Sequence, residues 1–114
     1  NYPRWFTEGV AQYVERILTG FEFSPPVSYN SQSVKYFGFT EMNADFDNLD
    51  QSTVYWESLK AIDYLVQRHG QRAIFSIMDE LGRGCSMDAA FERATGQDFE
   101  EFSQEFYCYL QNSL

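Results

Sequence analysis

Seventeen carboxylates, two cysteines and a single histidine are the side chains with which these 114 residues could do chemistry. The counts alone remove most catalytic constellations. His69 stands in Gln67-Arg68-His69-Gly70, at the end of a helical pattern, where the helix dipole favours an imidazole near the terminal carbonyls. Neither cysteine has a histidine close by in sequence, so a thiol nucleophile would lack a base. Two cysteines without companion histidines do not make a zinc site either. Gly82-Arg83-Gly84 is too short to cradle a phosphate, and no Gly-x-Ser-x-Gly elbow is present. From Glu41 to Asp50 there are four acids and no base. Asp45, Asp47 and Asp50 invite a calcium reading, but the stretch lacks the Gly and the closing Glu of an EF-hand loop. It reads as a solvated acidic loop.

One stretch carries more information: Pro3-Arg4-Trp5-Phe6-Thr7-Glu8-Gly9-Val10-Ala11-Gln12-Tyr13-Val14-Glu15. Trp5, Glu8, Gln12 and Glu15 follow one another at spacings of three and four, so on a helix they share one mixed polar and aromatic face. The stretch resembles the second half of the gluzincin signature, W-x-x-E-G-x-A-x-Y-x-E, which follows His-Glu-x-x-His in these zinc peptidases. Trp5, Glu8, Gly9, Ala11, Tyr13 and Glu15 carry the match. The resemblance implies that Glu8 is the third zinc ligand, that Glu15 supports the site two turns later, and that Trp5 walls it. Small Gly9 and Ala11 would let this helix lie close against a partner bearing the histidines.

The resemblance continues along the chain. Tyr55 to Gly70 looks like the next helix of bacterial peptidase-MA-like domains. Gly84-x-Ser86-x-Asp88-Ala89-Ala90-Phe91, then Thr95-Gly96, look like their closing pair, and Phe99 to Tyr109 like the last helix. The implied chemistry is metal-assisted hydrolysis of a peptide or protein substrate, with zinc lowering the pKa of its water to about 7. Tyr55 is a candidate to stabilise the oxyanion. His-Glu-x-x-His is absent from these residues, and in the family it lies a short way upstream of the Trp-x-x-Glu segment. The chain is therefore expected to be the C-terminal part of a longer zinc peptidase domain. By itself it should bind no zinc and hydrolyse nothing. The alternatives are a non-catalytic helical module that binds a protein partner through its aromatic surface, or a peptidase-like domain that has lost its metal.

The elements that must position these residues are helical. Phe6, Val10, Tyr13, Val14 and Ile17 make an apolar stripe over residues 4–18, with Pro3 at its start and Gly20 as its stop. Residues 20–50 are expected to be irregular, broken by Gly20, Pro25, Pro26 and Gly38, with a short strand conceivable over Ser33–Phe39. From Ser52 onwards the pattern is helical again. Tyr55, Leu59, Ile62 and Val66 form one row, with Ser58, Ala61 and Leu65 beside it, so this helix should be central. Gly70 ends it. Ile74, Ile77, Met78 and Leu81 mark a helix that stops at Gly82 and Gly84. Ser86 should cap a short one bearing Met87, Ala90, Phe91 and Ala94, stopped at Gly96. Asp98-Phe99-Glu100-Glu101 resembles a capping box opening a last helix with Phe99, Phe102, Phe106 and Leu110 on one side. The expected fold is all-α, a single domain over 1–114 with about five helices and one irregular loop.

Composition sets the outer bounds. Aromatics reach 18% and charged residues 22%, which is globular rather than disordered. A net charge of −9 repels phosphate backbones and anionic lipid, so non-specific nucleic-acid or membrane-surface binding is not expected. No apolar run approaches the roughly 18 residues needed to cross a bilayer, so membrane insertion is not expected either. Cys85 and Cys108 could pair across a loop of just over 20 residues, a bridge worth about 3 kcal/mol, or could remain two small packed thiols. A bridge would favour an extracytoplasmic location, periplasmic or secreted, as the family resemblance also does.

Overall fold

The computed structural model describes residues 2–26 and 36–113. Within them the chain forms six α-helices: α1 (Arg4–Thr19), α2 (Phe39–Asp45), α3 (Gln51–His69), α4 (Arg72–Gly82), α5 (Met87–Thr95) and α6 (Phe99–Ser113), with a 3-10 turn at Phe46–Asn48. No strand occurs among the described residues. The all-α expectation is met, and the region expected to be irregular contains a helix of its own. Glu41 and Asp45 belong to α2, Asp47 to the 3-10 turn, and Asp50 accepts from the Thr53 N–H at 3.0 Å to cap the start of α3. The conceived strand does not form over its described part, because residues 36–38 have no regular structure and Phe39 begins α2. Residues 33–35 lie outside the described set.

Internal contacts cluster into two compact units. Pro3–Ile62 forms the first and Asp63–Leu114, joined by Tyr2, the second, with the boundary inside α3.

In the first unit, α1 and α2 meet α3 around a small residue. Trp5 and Phe6 are buried edge to face with ring centroids 5.6 Å apart, and Trp5 lies 4.5 Å from Phe39. The Ser58 hydroxyl, fully buried, faces Met42 Sδ at 3.9 Å. On the other side, a Cβ placed on Gly9 would come within 2.5 Å of the Ser58 carbonyl oxygen and 2.8 Å of Ile62 Cγ1. The small residue of the signature thus serves a close helix approach, as its type suggests. The partner is α3 of this same chain, however, and Ala11 is exposed.

Gly9→Ala tests this contact. Alanine gains about 1 kcal/mol of helix propensity over glycine. Displacing a backbone carbonyl costs more, about 3 kcal/mol at the upper end of overpacking. The net loss of about 2 kcal/mol should lower the melting temperature by roughly 8 °C in a chain of this size. An unchanged or raised melting temperature would show that α1 does not lie this close to α3.

The apolar stripe of α1 is buried only at its N-terminal end. Trp5, Phe6 and Gly9 are covered, whereas Val10 and Tyr13 are half-buried and Val14, Ile17 and Leu18 are exposed, the last at 75%. α3 behaves as expected of a central helix: Val54, Trp56, Leu59, Ala61, Ile62 and Leu65 are buried. It also buries Glu57 completely, and Glu57 Oε1 accepts from the Phe37 N–H at 2.9 Å, just before α2 begins.

The second unit follows its terminators. Gly70, Gly84 and Gly96 take the left-handed conformation at the ends of α3, α4 and α5. Ser86 Oγ accepts from the Ala89 N–H at 3.2 Å. Half of the anticipated capping box forms: Asp98 Oδ2 accepts from the Glu101 N–H at 3.1 Å, but Glu101 Oε1 turns to Gln97 Nε2 at 2.9 Å. Phe91, Phe102 and Phe106 are buried in a chain of ring contacts that Tyr64 joins from α3. Met78, expected on the buried side of α4, is exposed at 38%. Cys85 and Cys108 are both free thiols; Cys85 is half-buried with Sγ 3.7 Å from Glu80 Oε1, and Cys108 is exposed on α6.

Candidate functional site

Two residues singled out by the sequence for separate reasons come together in the first unit. α1 presents Arg4 and Glu8 one turn apart, and α3 brings Tyr55 to them. The Tyr55 phenol stands close enough to Glu8 for the carboxylate charge to act on it. Arg4 Nε lies 3.6 Å from Glu8 Oε2, but its guanidinium is held more tightly elsewhere. Arg4 Nη2 and Nη1 donate to Asp47 Oδ1 and Oδ2 at 3.0 and 3.3 Å, a two-pronged pair from the 3-10 turn. The same guanidinium sits 4.7 Å over the Phe46 ring. Asp47 therefore draws Arg4 away from Glu8, which keeps 29% of its side chain open to solvent.

Aromatic rings fix the tyrosine. Phe23 stacks on Tyr55 with centroids 5.3 Å apart, and Phe46 meets it edge-on at 5.2 Å. Phe23 also lines an open groove of about 500 Å³ bounded by Phe21–Pro26 and by Asp50, Ser52 and Thr53 at the start of α3. Gln12, one turn beyond Glu8, has a buried Oε1 with no hydrogen-bond partner.

Burial raises the Tyr55 phenol above its ordinary value, and the Glu8 charge and hydrogen bond add to this while Arg4 opposes it. The neutral phenol is the form the fold favours. Its contribution to stability is thus present below the unfolded value of about 10 and is lost as pH rises through the raised one. In a phenolate absorbance titration, with Tyr55→Phe identifying the step, Tyr55 should ionise late. Glu8→Gln should bring it part of the way back, since burial remains. A Tyr55 step unmoved by Glu8→Gln would show that the two groups do not interact.

The other expected site residues are dispersed. Trp5 is 2% exposed and faces Phe6 and Phe39, so it supports the helix from within instead of walling an open site. Glu15 is exposed two turns along α1. His69 stands in the last turn of α3, the helix-end position expected of it, and its Nε2 lies 2.7 Å from Gln97 Oε1. Because Gln97 Nε2 donates to Glu101, its Oε1 is the acceptor and His69 Nε2 carries the proton. Among the described residues no three His, Cys, Asp or Glu side chains converge to hold a metal ion. Arg4 and Asp47, which shape the surroundings of Glu8, were invisible as a pair because they lie 43 residues apart. No described helix is long and apolar enough to cross a membrane.

No family model matches the chain, and no solved structure matches it. It is similar to the uncharacterized protein YhcO of Bacillus subtilis (strain 168), with 24% identity over 109 residues. The alignment covers 93% of this chain and 32% of YhcO, so the chain spans about a third of the length of this curated relative.

Proposed function

We propose that this chain is the C-terminal helical portion of a gluzincin-like zinc metallopeptidase domain, in which Glu8 supplies one of the metal ligands. The observation that carries the reading is the setting of Glu8: the candidate ligand is partly open to solvent, on a helix whose start is buried, with the ring-held Tyr55 phenol near enough to respond to its charge. The unpartnered Gln12 oxygen one turn away adds a second acceptor to the same face of α1. Tyr55 acts through Glu8 as a positioning residue, orienting the carboxylate. The donor set within these residues is a single carboxylate, without the two histidines that would complete it, so no hydrolytic step is assigned to them.

The test is zinc affinity in the whole protein, measured by competition with a fluorescent chelator. Wild type should retain zinc. Glu8→Ala should weaken binding roughly 100-fold and Tyr55→Phe about tenfold, the scale set by groups that hold or orient a ligand. A whole protein without zinc, or one whose affinity ignores Glu8→Ala, would contradict the reading. The second reading, a non-catalytic helical interaction module, would then lead. It is favoured by the exposed Val14, Ile17 and Leu18 on α1, an apolar face that a partner could cover.

A further inference from the structure

The second unit carries an open groove of about 560 Å³ between the end of α3 and the outer side of α6. Its lining is unusual for so acidic a chain. Gln67, Gln104 and Asn112 contribute three carboxamides, and Tyr64 and Tyr109 contribute two rings whose centroids lie 4.9 Å apart. The one charged residue in the lining, Glu105, is compensated: Arg68 Nε donates to its Oε1 at 3.1 Å, and the Tyr64 hydroxyl lies 3.5 Å from the same atom. Arg68 accordingly holds the Glu105 carboxyl below the usual carboxylate range. Beyond Glu105, residues 106–114 contain no charged side chain at all.

We infer that this groove binds a neutral, polyhydroxylated ligand, a saccharide chain. Each carboxamide offers a donor and an acceptor side by side, which matches neighbouring hydroxyls that can each donate and accept. Tyr64 packs on Phe102, Phe106 and Tyr109, so the paired tyrosines supply a rigid apolar wall with polar tips, against which the C–H groups of a sugar ring can lie. An anionic or cationic ligand would find no free countercharge. A proline-rich peptide could use the rings but has few donors for the three carboxamides.

Cys108 lines the groove and is exposed, so its alkylation reports occupancy, while half-buried Cys85 beside Glu80 serves as the internal control. The chain is titrated with cellohexaose, chitohexaose and maltohexaose, and separately with a polyproline peptide, and alkylation of each thiol is followed by mass spectrometry. At least one hexasaccharide should slow Cys108 by about tenfold once its concentration is ten times the dissociation constant, leaving Cys85 unchanged. Tyr64→Ala should abolish protection, but Tyr64 also packs on Phe102 and Phe106. The exposed Gln104→Ala is therefore the decisive variant, and should raise the half-protecting concentration roughly tenfold, the scale of one lost hydrogen bond. Protection by none of the three saccharides, protection by the peptide alone, or protection that Gln104→Ala leaves unchanged would each overturn the inference.

Discussion

Trp5→Ala should cost the first unit about 4 kcal/mol, the scale of a buried aromatic cut back to a methyl group. The ring is 2% exposed and touches Phe6 from α1 and Phe39 from α2. Removing it leaves a cavity where α1 and α2 meet. A domain of ordinary stability has only about 5–15 kcal/mol in hand, so this one change should put unfolding within reach of mild denaturant. Trp5→Phe keeps most of the buried area and should cost well under half as much. Denaturant melts of both variants decide the matter. A loss below about 1 kcal/mol for Trp5→Ala would place the ring at the surface, since substitutions there are near neutral, and would restore its reading as a wall of an open site.

Glu57→Ala should be the next most damaging change, at about 3 kcal/mol, because it empties a fully buried site and takes the charged acceptor from the half-buried Phe37 N–H. Glu57 is fully buried, and its Oε1 takes the Phe37 N–H immediately before α2. Locally α2 is weak: it is seven residues long and has no side-chain cap. Short helices of this kind depend on tertiary contacts. Glu57→Gln retains an acceptor and should lose only about 1 kcal/mol, the difference between a charged and a neutral hydrogen bond. Tyr36 gives an independent readout. Burial raises its phenol and the Glu57 charge raises it further, so Tyr36 should titrate lower in Glu57→Gln. If Glu57→Ala melts like wild type, the carboxylate is not what fixes the start of α2.

The parts of the fold legible in the sequence are those written in local chemistry. Gly70, Ser86, Gly96 and Asp98 each stop or start a helix where their residue types say they should, because capping depends on a few neighbouring backbone groups. α2 escaped notice for the opposite reason. Phe39 and Met42 are its only buried residues, and Thr40, Asn43 and Asp45 are poor helix formers. It is held by Trp5, Ser58 and Glu57, which lie elsewhere in the chain. The stripe on α1 shows a further limit: periodicity announces an amphipathic helix but not how much of it is covered. Glu57 could have been suspected, since it stands between Val54 and Ala61 on an apolar row of α3. An acid on such a row is the signature of a buried carboxylate.

The candidate site was legible residue by residue and not as an arrangement. Glu8 came from a local pattern, Tyr55 from a helix that resembles a family element, and their meeting depends on how closely Gly9 lets α1 approach Ser58. The fork from Arg4 to Asp47, which leaves Glu8 its freedom, follows from long-range packing that no spacing rule reports.

The central claim is that Glu8 completes a metal site whose histidines lie elsewhere in the same protein. It is tested most directly by reading the coding sequence immediately before the codon for Asn1. The account predicts a His-Glu-x-x-His motif there, on a helical pattern a short distance upstream. A coding sequence that lacks both histidines, or a start codon at that position, would contradict it.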